Sequence, residues 1–314
     1  MWIAHDITQC NLDRATAVTI GAFDGVHRGH KALISGMVTH ARQQEVQPLV
    51  ITFDPLPGQV LGAGSYTLLS TVEERIARIR ALDVAGIVLL SFDQALMATS
   101  AATFVSQMVQ HLALSSLWVG PDFTLGSDRQ GDIPFLKDSG ARLRFEVRVL
   151  RRTVLWDGKP VRSSRIRRAL KTGHIQEANG CLGYAYRISG VVIHGAKRGR
   201  KLGFPTANLE IAEDRLIPAN GVYVCRATLN TRSYAAITNV GTRPTFNGHP
   251  PSVEAHLLDF CNDIYGASMN LTFLKRLRPE LRFASAGDLI KQMHRDEATA
   301  RAWLSRHASS TDNS

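Results

Sequence analysis

The chain has 314 residues, with 37 Lys plus Arg against 27 Asp plus Glu, a formal charge of +10, and 44% hydrophobic residues. That length favours two domains, and the apolar content excludes a disordered or fibrous chain. No apolar run reaches the roughly 18–20 residues of a membrane span, and the start MWIAHDITQC lacks the features of a secretory signal, so a soluble cytoplasmic protein is expected.

Val18–Ile20 and Leu49–Phe53 read as β-strands, followed by Ile87–Leu90, Leu117–Val119 and Phe145–Leu150. Between them, residues 30–44, 71–82 and 101–113 carry apolar positions at the three- and four-residue spacing of a helix. The alternation predicts a Rossmann-like parallel sheet covered by helices on both faces, over residues 1–182. Such sheets bind ligands beyond the carboxyl ends of their strands. From residue 183 the rhythm changes. Short alternating runs at 185–193, 221–229, 232–239, 252–260 and 270–278 are broken by turns such as Pro218-Ala219-Asn220-Gly221. They predict a small antiparallel barrel over 183–314. Residues 285–306 read as a closing helix with Ser285 as its cap. The expected fold class is α/β plus β-barrel. Cys10, Cys181, Cys225 and Cys261 form no CxxC pair and are expected as reduced thiols.

The strand ending at Ile20 runs into Gly21-Ala-Phe-Asp-Gly-Val-His-Arg-Gly-His30 and then a helix. Gly21, Gly25 and Gly29 allow sharp turns and close backbone approach, and a helix N-terminus is a ready anion site. His27 and His30, three apart there, can face one phosphate chain and donate to charge developing on it. A metal held by Asp24, His27 and His30 is the competing reading; the strand–turn–helix context favours a nucleotide. Ten basic residues and only two acids lie between Arg142 and Arg168. An RNA-binding face is possible there, but only Phe145 and Trp156 are interleaved, which is thin for a stacking platform. Within this stretch Ser163 can cap a helix over 164–171, whose N–H groups, with Ser164 and Arg167, suit a polyphosphate.

In the second half, Gly195, Gly199 and Gly203 permit tight curvature in a loop carrying Lys197, Arg198, Arg200 and Lys201. Pro205 fixes the backbone before Thr206, whose hydroxyl, with the Asn208 amide, suits Mg²⁺, a cation that takes few protein oxygens and completes its shell with phosphate and water.

These motifs resemble those of bacterial bifunctional riboflavin kinase/FAD synthetases. The Gly21–His30 segment resembles the family's GxFDGVHxGH form of the nucleotidyltransferase HxGH signature, which takes in Phe23 and Asp24. Phe53-Asp-Pro-Leu-Pro57 resembles FxPHP, with Leu56 in the histidine position. Val119-Gly-Pro-Asp-Phe-Thr-Leu-Gly126 resembles VGxDFxFG, and Val161-Arg-Ser-Ser-Arg-Ile-Arg167 resembles VSSTxIR, with Arg162 in place of a serine. Gly199 to Asn208 resembles the GxxxGFPTAN signature of riboflavin kinase, and Val253 to Phe260 continues the match. The resemblance implies phosphorylation of riboflavin to FMN by Mg²⁺-ATP, with Glu254 as general base and Thr206 and Asn208 at the metal–nucleotide. It further implies adenylylation of FMN to FAD with release of pyrophosphate. There His27 and His30 would be catalytic, while Asp122, Phe123 and, in the kinase, Arg278 would contact the flavin. Leu56 and Arg162 keep open a kinase whose adenylyl step is weakened. No membrane or nucleic-acid partner is expected.

Overall fold

The computed structural model describes residues 1–62, 66–150, 152–195, 203–241 and 251–307. The chain divides into two compact units, Met1–Ser163 and Ser164–Ser314.

In the first unit, β1 (Trp2–Ala4), β2 (Thr16–Ile20), β3 (Gln47–Phe53), β4 (Gly86–Leu90), β5 (Leu114–Val119) and β6 (Glu146–Val149) form a sheet in the order β1-β4-β3-β2-β5-β6. Every pairing is parallel. Helices α1 (Arg28–Gln43), α2 (Pro57–Leu61), α3 (Val72–Arg80), α4 (Gln94–Ala98), α5 (Ala101–Leu112) and α6 (Ile133–Leu143) connect the strands. Alternation along the strands feeds two cores, as a sheet covered on both faces requires. Val18, Ile20, Leu49 and Ile51 share one core with Phe104, Val105 and Met108 of α5. Ala17, Val50 and Ile87 share the other with Leu33, Ile34 and Met37 of α1.

The helices begin where side chains can take up their unpaired N–H groups. Ser100 Oγ accepts from Thr103 N–H at the start of α5, and Thr71 and Glu74 satisfy each other's N–H groups ahead of α3, a capping box. β1 and α6 lie outside the expected elements: β1 has only three residues, and α6 carries Pro134 and Gly140 within it. Leu56, at the entry to α2, is fully buried and joins the α5-side core.

In the second unit, α7 (Ser163–Lys171) and α8 (Ile175–Leu182) precede a closed barrel of β9 (Arg187–Ile193), β10 (Ala207–Glu210), β11 (Gly221–Leu229), β12 (Arg232–Gly241), β13 (Ser252–Leu257) and β14 (Ser268–Arg278). α7 starts at Ser163 itself, so that serine is the first helical residue and not the expected cap. The helices are tied to the barrel unit through Asn179, whose amide donates to Phe273 O and accepts from Tyr186 N–H, and through Ala219 N–H, which donates to Leu170 O. Both helices therefore belong to the compact unit that begins at Ser164. The antiparallel pairings and the closing helix α9 (Ala286–His307), capped by Ser285 Oγ accepting from Asp288 N–H, follow the expected pattern. Cys225 is fully buried, and burial pushes its thiol up to about 12, consistent with an inert reduced side chain. β10 was not expected; four residues flanked by Pro205 and a loop give too little alternation to read.

The loop after β5 is locked against α5. Leu125 and Gly131 exchange backbone hydrogen bonds of 3.1 and 2.9 Å, and Gly126 sits at φ +76° with space for a Cβ only 2.4 Å from Ala101 N. Gly126→Ala is therefore expected to destabilise the first unit by about 1–3 kcal/mol, read as a lower urea midpoint with unchanged slope.

Candidate active sites

The order of the first sheet turns back at β2, which leads to β3 and β4 on one side and has β5 and β6 on the other. The connections leaving β2 and β5 diverge there, opening a crevice beyond their carboxyl ends. The Gly21–His30 segment leaves β2 at this point, and Gly120 to Phe123 leaves β5.

The first loop is strained and buried. Phe23, Gly25 and Val26 have φ of +46°, +74° and +38°. Strain of that kind persists only where surrounding contacts overdetermine it. Asp24 supplies them: its carboxylate accepts from Leu69 N–H and Ser70 N–H at 3.0 Å and from the Ser70 hydroxyl, while Gly25 N–H donates to Ser70 Oγ. Arg75, 1% exposed, donates to Ala22 O and Phe53 O at the ends of β2 and β3. Burial lowers its pKa, and the nearby Asp24 and Asp54 charges work the other way. Asp24 thus holds the loop from behind. Among the described residues no group of His, Cys, Asp and Glu is assembled as a metal site, so the metal reading of Asp24, His27 and His30 is not met.

His27 is the N-cap of α1. Its Nδ1 accepts from His30 N–H at 3.3 Å, which leaves Nε2 to carry the proton of the neutral ring. The two imidazoles stack at 3.5 Å between centroids and 18° between planes, and Phe23 meets His30 edge-on. A Cβ at Gly29 would stand 3.1 Å from the His27 ring, so any larger residue there would press on that imidazole. Gly21 likewise leaves room for the Phe23 ring. The sequence reading missed Lys31, in the first turn of α1; burial, then Arg78 and Arg28, lowers its ammonium pKa. Its position after His30 was the only signal.

Beyond β5, Phe123 is half-buried against the core and Asp122 is exposed, pairing with Arg162 at 3.3 Å. Arg28 lies 4.9 Å over the ring of Trp156, in the hairpin β7 (Leu155–Trp156) to β8 (Lys159–Pro160). Ser164 and Arg167 lie on α7 in the second unit. The basic stretch is partly structural: Arg148 pairs with Glu146, and the buried Arg165 pairs with Glu177 at 2.6 Å. That hydrogen bond, opposed by burial, lowers the Glu177 pKa.

The second site uses both faces of one barrel wall. Val253, Ala255 and Leu257 of β13 are buried, while Glu254 and His256 alternate to the other face. Glu254 lies opposite Asn208 of β10 and Asn239 of β12. Residues directly opposite share a face, so the carboxylate is flanked by two amides. On this face a cavity of about 370 Å³ is lined by Phe204, Val222, Ile237, Phe283, Leu289 and Met293, with Glu254, Asn239, Arg278 and Asp296 as polar groups. On the opposite face a second cavity, about 300 Å³, is lined by Val192, Ala207, Ala255 and Leu257 together with Phe260 to Tyr265. Thr206 lines both, and its hydroxyl donates to Glu254 Oε2 at 3.5 Å.

Pro205 lines the second cavity, and its carbonyl accepts from His256 Nδ1. Gly203 has φ +84°. Gly195 faces the Asn208 amide, which a Cβ there would displace. Lys197, Gly199 and Arg200 lie outside the described residues. The closing helix, which the resemblance implied would help to cover the flavin, lines the first cavity through Leu289, Met293 and Asp296; its periodicity did not name which of its residues face that cavity.

A family model described as FAD synthetase matches residues 10–165, and one described as riboflavin kinase matches residues 182–304. The bifunctional riboflavin kinase/FMN adenylyltransferase of Escherichia coli K12 is 34% identical over 303 residues, covering 96% of each chain. That of Pseudomonas fluorescens is 37% identical over 297 residues, covering 92% of this chain and 93% of its own. A crystal structure from Streptococcus pneumoniae, described as a macrolide-efflux protein, superposes with a TM-score of 0.87 at 28% identity over 96% of this chain and 98% of its own. No helix among the described residues is long and apolar enough to cross a membrane. With both halves matched and both relatives aligned almost end to end, the chain belongs to the bifunctional riboflavin kinase/FMN adenylyltransferase family.

Proposed function

We propose that this chain phosphorylates riboflavin to FMN in its barrel and transfers AMP from ATP to FMN, giving FAD and pyrophosphate, in its α/β unit. The functional boundary is placed near residue 183, where the barrel begins. The observation that carries the kinase assignment is Thr206, which borders both cavities with its hydroxyl 3.5 Å from Glu254. The isoalloxazine ring, planar and largely apolar, suits the cavity under α9, and the nucleotide suits the cavity on the opposite face. The ribityl 5′-hydroxyl then meets the γ-phosphoryl beside Glu254, which accepts the hydroxyl proton as the oxygen attacks and ADP leaves. The donor set around Glu254 fits Mg²⁺: Thr206 Oγ1 and the Asn208 amide oxygen are hard donors, few enough to leave places for phosphate and water. The ion would draw off charge from the phosphates. The base-rich loop of Lys197 and Arg200, with Gly195, Gly199, Gly203 and Pro205, serves the same phosphates.

In the α/β unit the carrying observation is the His27–His30 stack at the N-terminus of α1. His27 Nε2–H and His30 donate to the α-phosphate as an FMN phosphate oxygen attacks it and pyrophosphate departs. The N–H groups of the loop at Gly21, Gly25 and Gly29 and of the helix start receive the phosphate chain, Asp24 and Phe23 hold that loop, and Asp122 and Phe123 border the flavin. Ser163, Ser164 and Arg167 offer a further set of phosphate donors at the start of α7. A second reading, a kinase with a weakened adenylyl step, is favoured by the burial of Leu56, which brings no polar group to the position where the family pattern has histidine. Incubation with FMN, ATP and Mg²⁺ separates the two, since FAD forms under the first reading and at most in traces under the second.

Glu254→Gln is expected to lower the rate of FMN formation by about 10²–10⁴-fold while sparing FAD formation from supplied FMN, both followed by chromatography of the products. His27→Asn keeps a good helix cap but removes the imidazole. FAD formation should then fall by at least about tenfold with riboflavin phosphorylation intact, and parallel loss of both reactions would contradict two separate sites. Chelation of divalent cations is expected to stop riboflavin phosphorylation, and added Mg²⁺ to restore it; a rate indifferent to chelator would remove the metal from the scheme.

A further inference from the structure

The cavity under α9 holds a buried ion pair beside the apolar side chains of Phe283, Leu289 and Met293. Arg278, the last residue of β14, donates from Nε to both carboxylate oxygens of Asp296 at 3.0–3.1 Å and from one terminal nitrogen to Oδ2 at 2.7 Å. Its remaining terminal nitrogen donates to Pro279 O, and Gln292, one turn before Asp296 on α9, donates to Asp296 Oδ1 at 2.9 Å. The side chains of Arg278 and Asp296 are only 16% and 8% exposed, and both line the cavity. The Phe283 ring centroid lies 5.9 Å from the guanidinium carbon.

Stability alone is a poor account of such a pair, because well-packed apolar residues of similar volume usually serve as well or better. A bidentate carboxylate does what they cannot: it fixes the plane of the guanidinium. Asp296 takes the Nε/Nη2 edge of Arg278 and Pro279 O takes Nη1, so the plane of the cation that lines the cavity is set. A planar heteroaromatic ring with carbonyl groups on its rim is a ligand that gains from such a plate, through stacking and through the attraction of the carbonyl oxygens to the cation.

We infer that Asp296 is a positioning residue for the flavin, holding the Arg278 guanidinium as one wall of the ring pocket, with Gln292 holding Asp296 in turn. This rests on the assignment of riboflavin to this cavity. It also makes α9 part of the substrate site. Neither Arg278 nor Asp296 borders the second cavity, so the effect should fall on riboflavin and spare the nucleotide.

The test is steady-state phosphorylation by the full chain and its Asp296→Asn variant, with riboflavin and ATP varied separately, alongside quenching of riboflavin fluorescence and thermal unfolding. The amide offers Arg278 one acceptor in place of two and turns an N–H toward it. The riboflavin KM should rise about tenfold or more, the change expected when a charge-assisted bond in a binding site is lost, while the KM for ATP moves less than about twofold. Arg278→Lys, which keeps the charge and loses the plate, should act in the same direction. If Asp296→Asn does not fold, Gln292→Met carries the test through a smaller rise in riboflavin KM at unchanged ATP KM. An unaltered riboflavin KM with a lowered melting temperature would make the pair a structural tie and overturn the proposal. An unmodified chain that neither quenches nor phosphorylates riboflavin would overturn the flavin assignment and this inference together.

Discussion

The buried Arg75 guanidinium and the buried Asp24 carboxylate are the constraint on which the first unit's site depends. Arg75 gathers the carbonyls that end β2 and β3, and Asp24 gathers the N–H groups of Leu69 and Ser70. Between them the loop after β2 is fastened to two strands and a neighbouring segment. Removing one partner from a buried, hydrogen-bonded charge typically costs about 3–5 kcal/mol, more than the backbone strain of any single left-handed residue in the loop. That excess lets Phe23 and Val26 keep positive φ, and the resulting path brings His27 round to cap α1 with its ring lying on His30. The imidazoles are oriented by charges that fasten the loop from behind.

The barrel solves a different problem with less machinery. A strand's alternation already separates inside from outside, so one wall can serve two cavities. Ala255 and Leu257 line the inner one, Glu254 and His256 face the outer one, and Thr206 stands at the border. On the proposed assignment, acceptor and phosphoryl group meet across a single strand. The outer cavity, however, is open until something covers it, and α9 does so with an apolar face and the Asp296 carboxylate.

Much of this was legible in the sequence, and the parts that were not share a cause. Local patterns carried β2, β3 and β11, the cap at Ser285 and the segment Gly21–His30, because each depends on residues close in the chain. Glu254 was named by the resemblance, and the alternation of β13, with Val253, Ala255 and Leu257 on the other face, is compatible with it but could not have singled it out. The sequence could not separate the chemical role of Asp24 from its structural one, since the partners Leu69 and Ser70 are 45 and 46 residues away. Leu56 is similar: it reads as a departure from a pattern, and only the packing shows it serving the core. β10 and α6 were too short, or too interrupted by Pro and Gly, for periodicity to report.

The surplus of ten positive charges also takes on a different meaning once the partners are known. Several arginines that look like a basic face are structural ties. Arg165 is buried against Glu177, Arg75 serves backbone carbonyls, and Arg278 is engaged by Asp296. Arg301 bridges α9 to Asp259 at the turn after β13, with Glu297 as a second partner. A net charge counts such residues as if they were available to a ligand, although their fields are largely cancelled by the acids beside them. Among the described residues, donors outside these ties include N–H groups at the start of α1 and the Thr206 hydroxyl between two cavities. On the proposed function, recognition depends on where such donors are aimed as much as on the net charge.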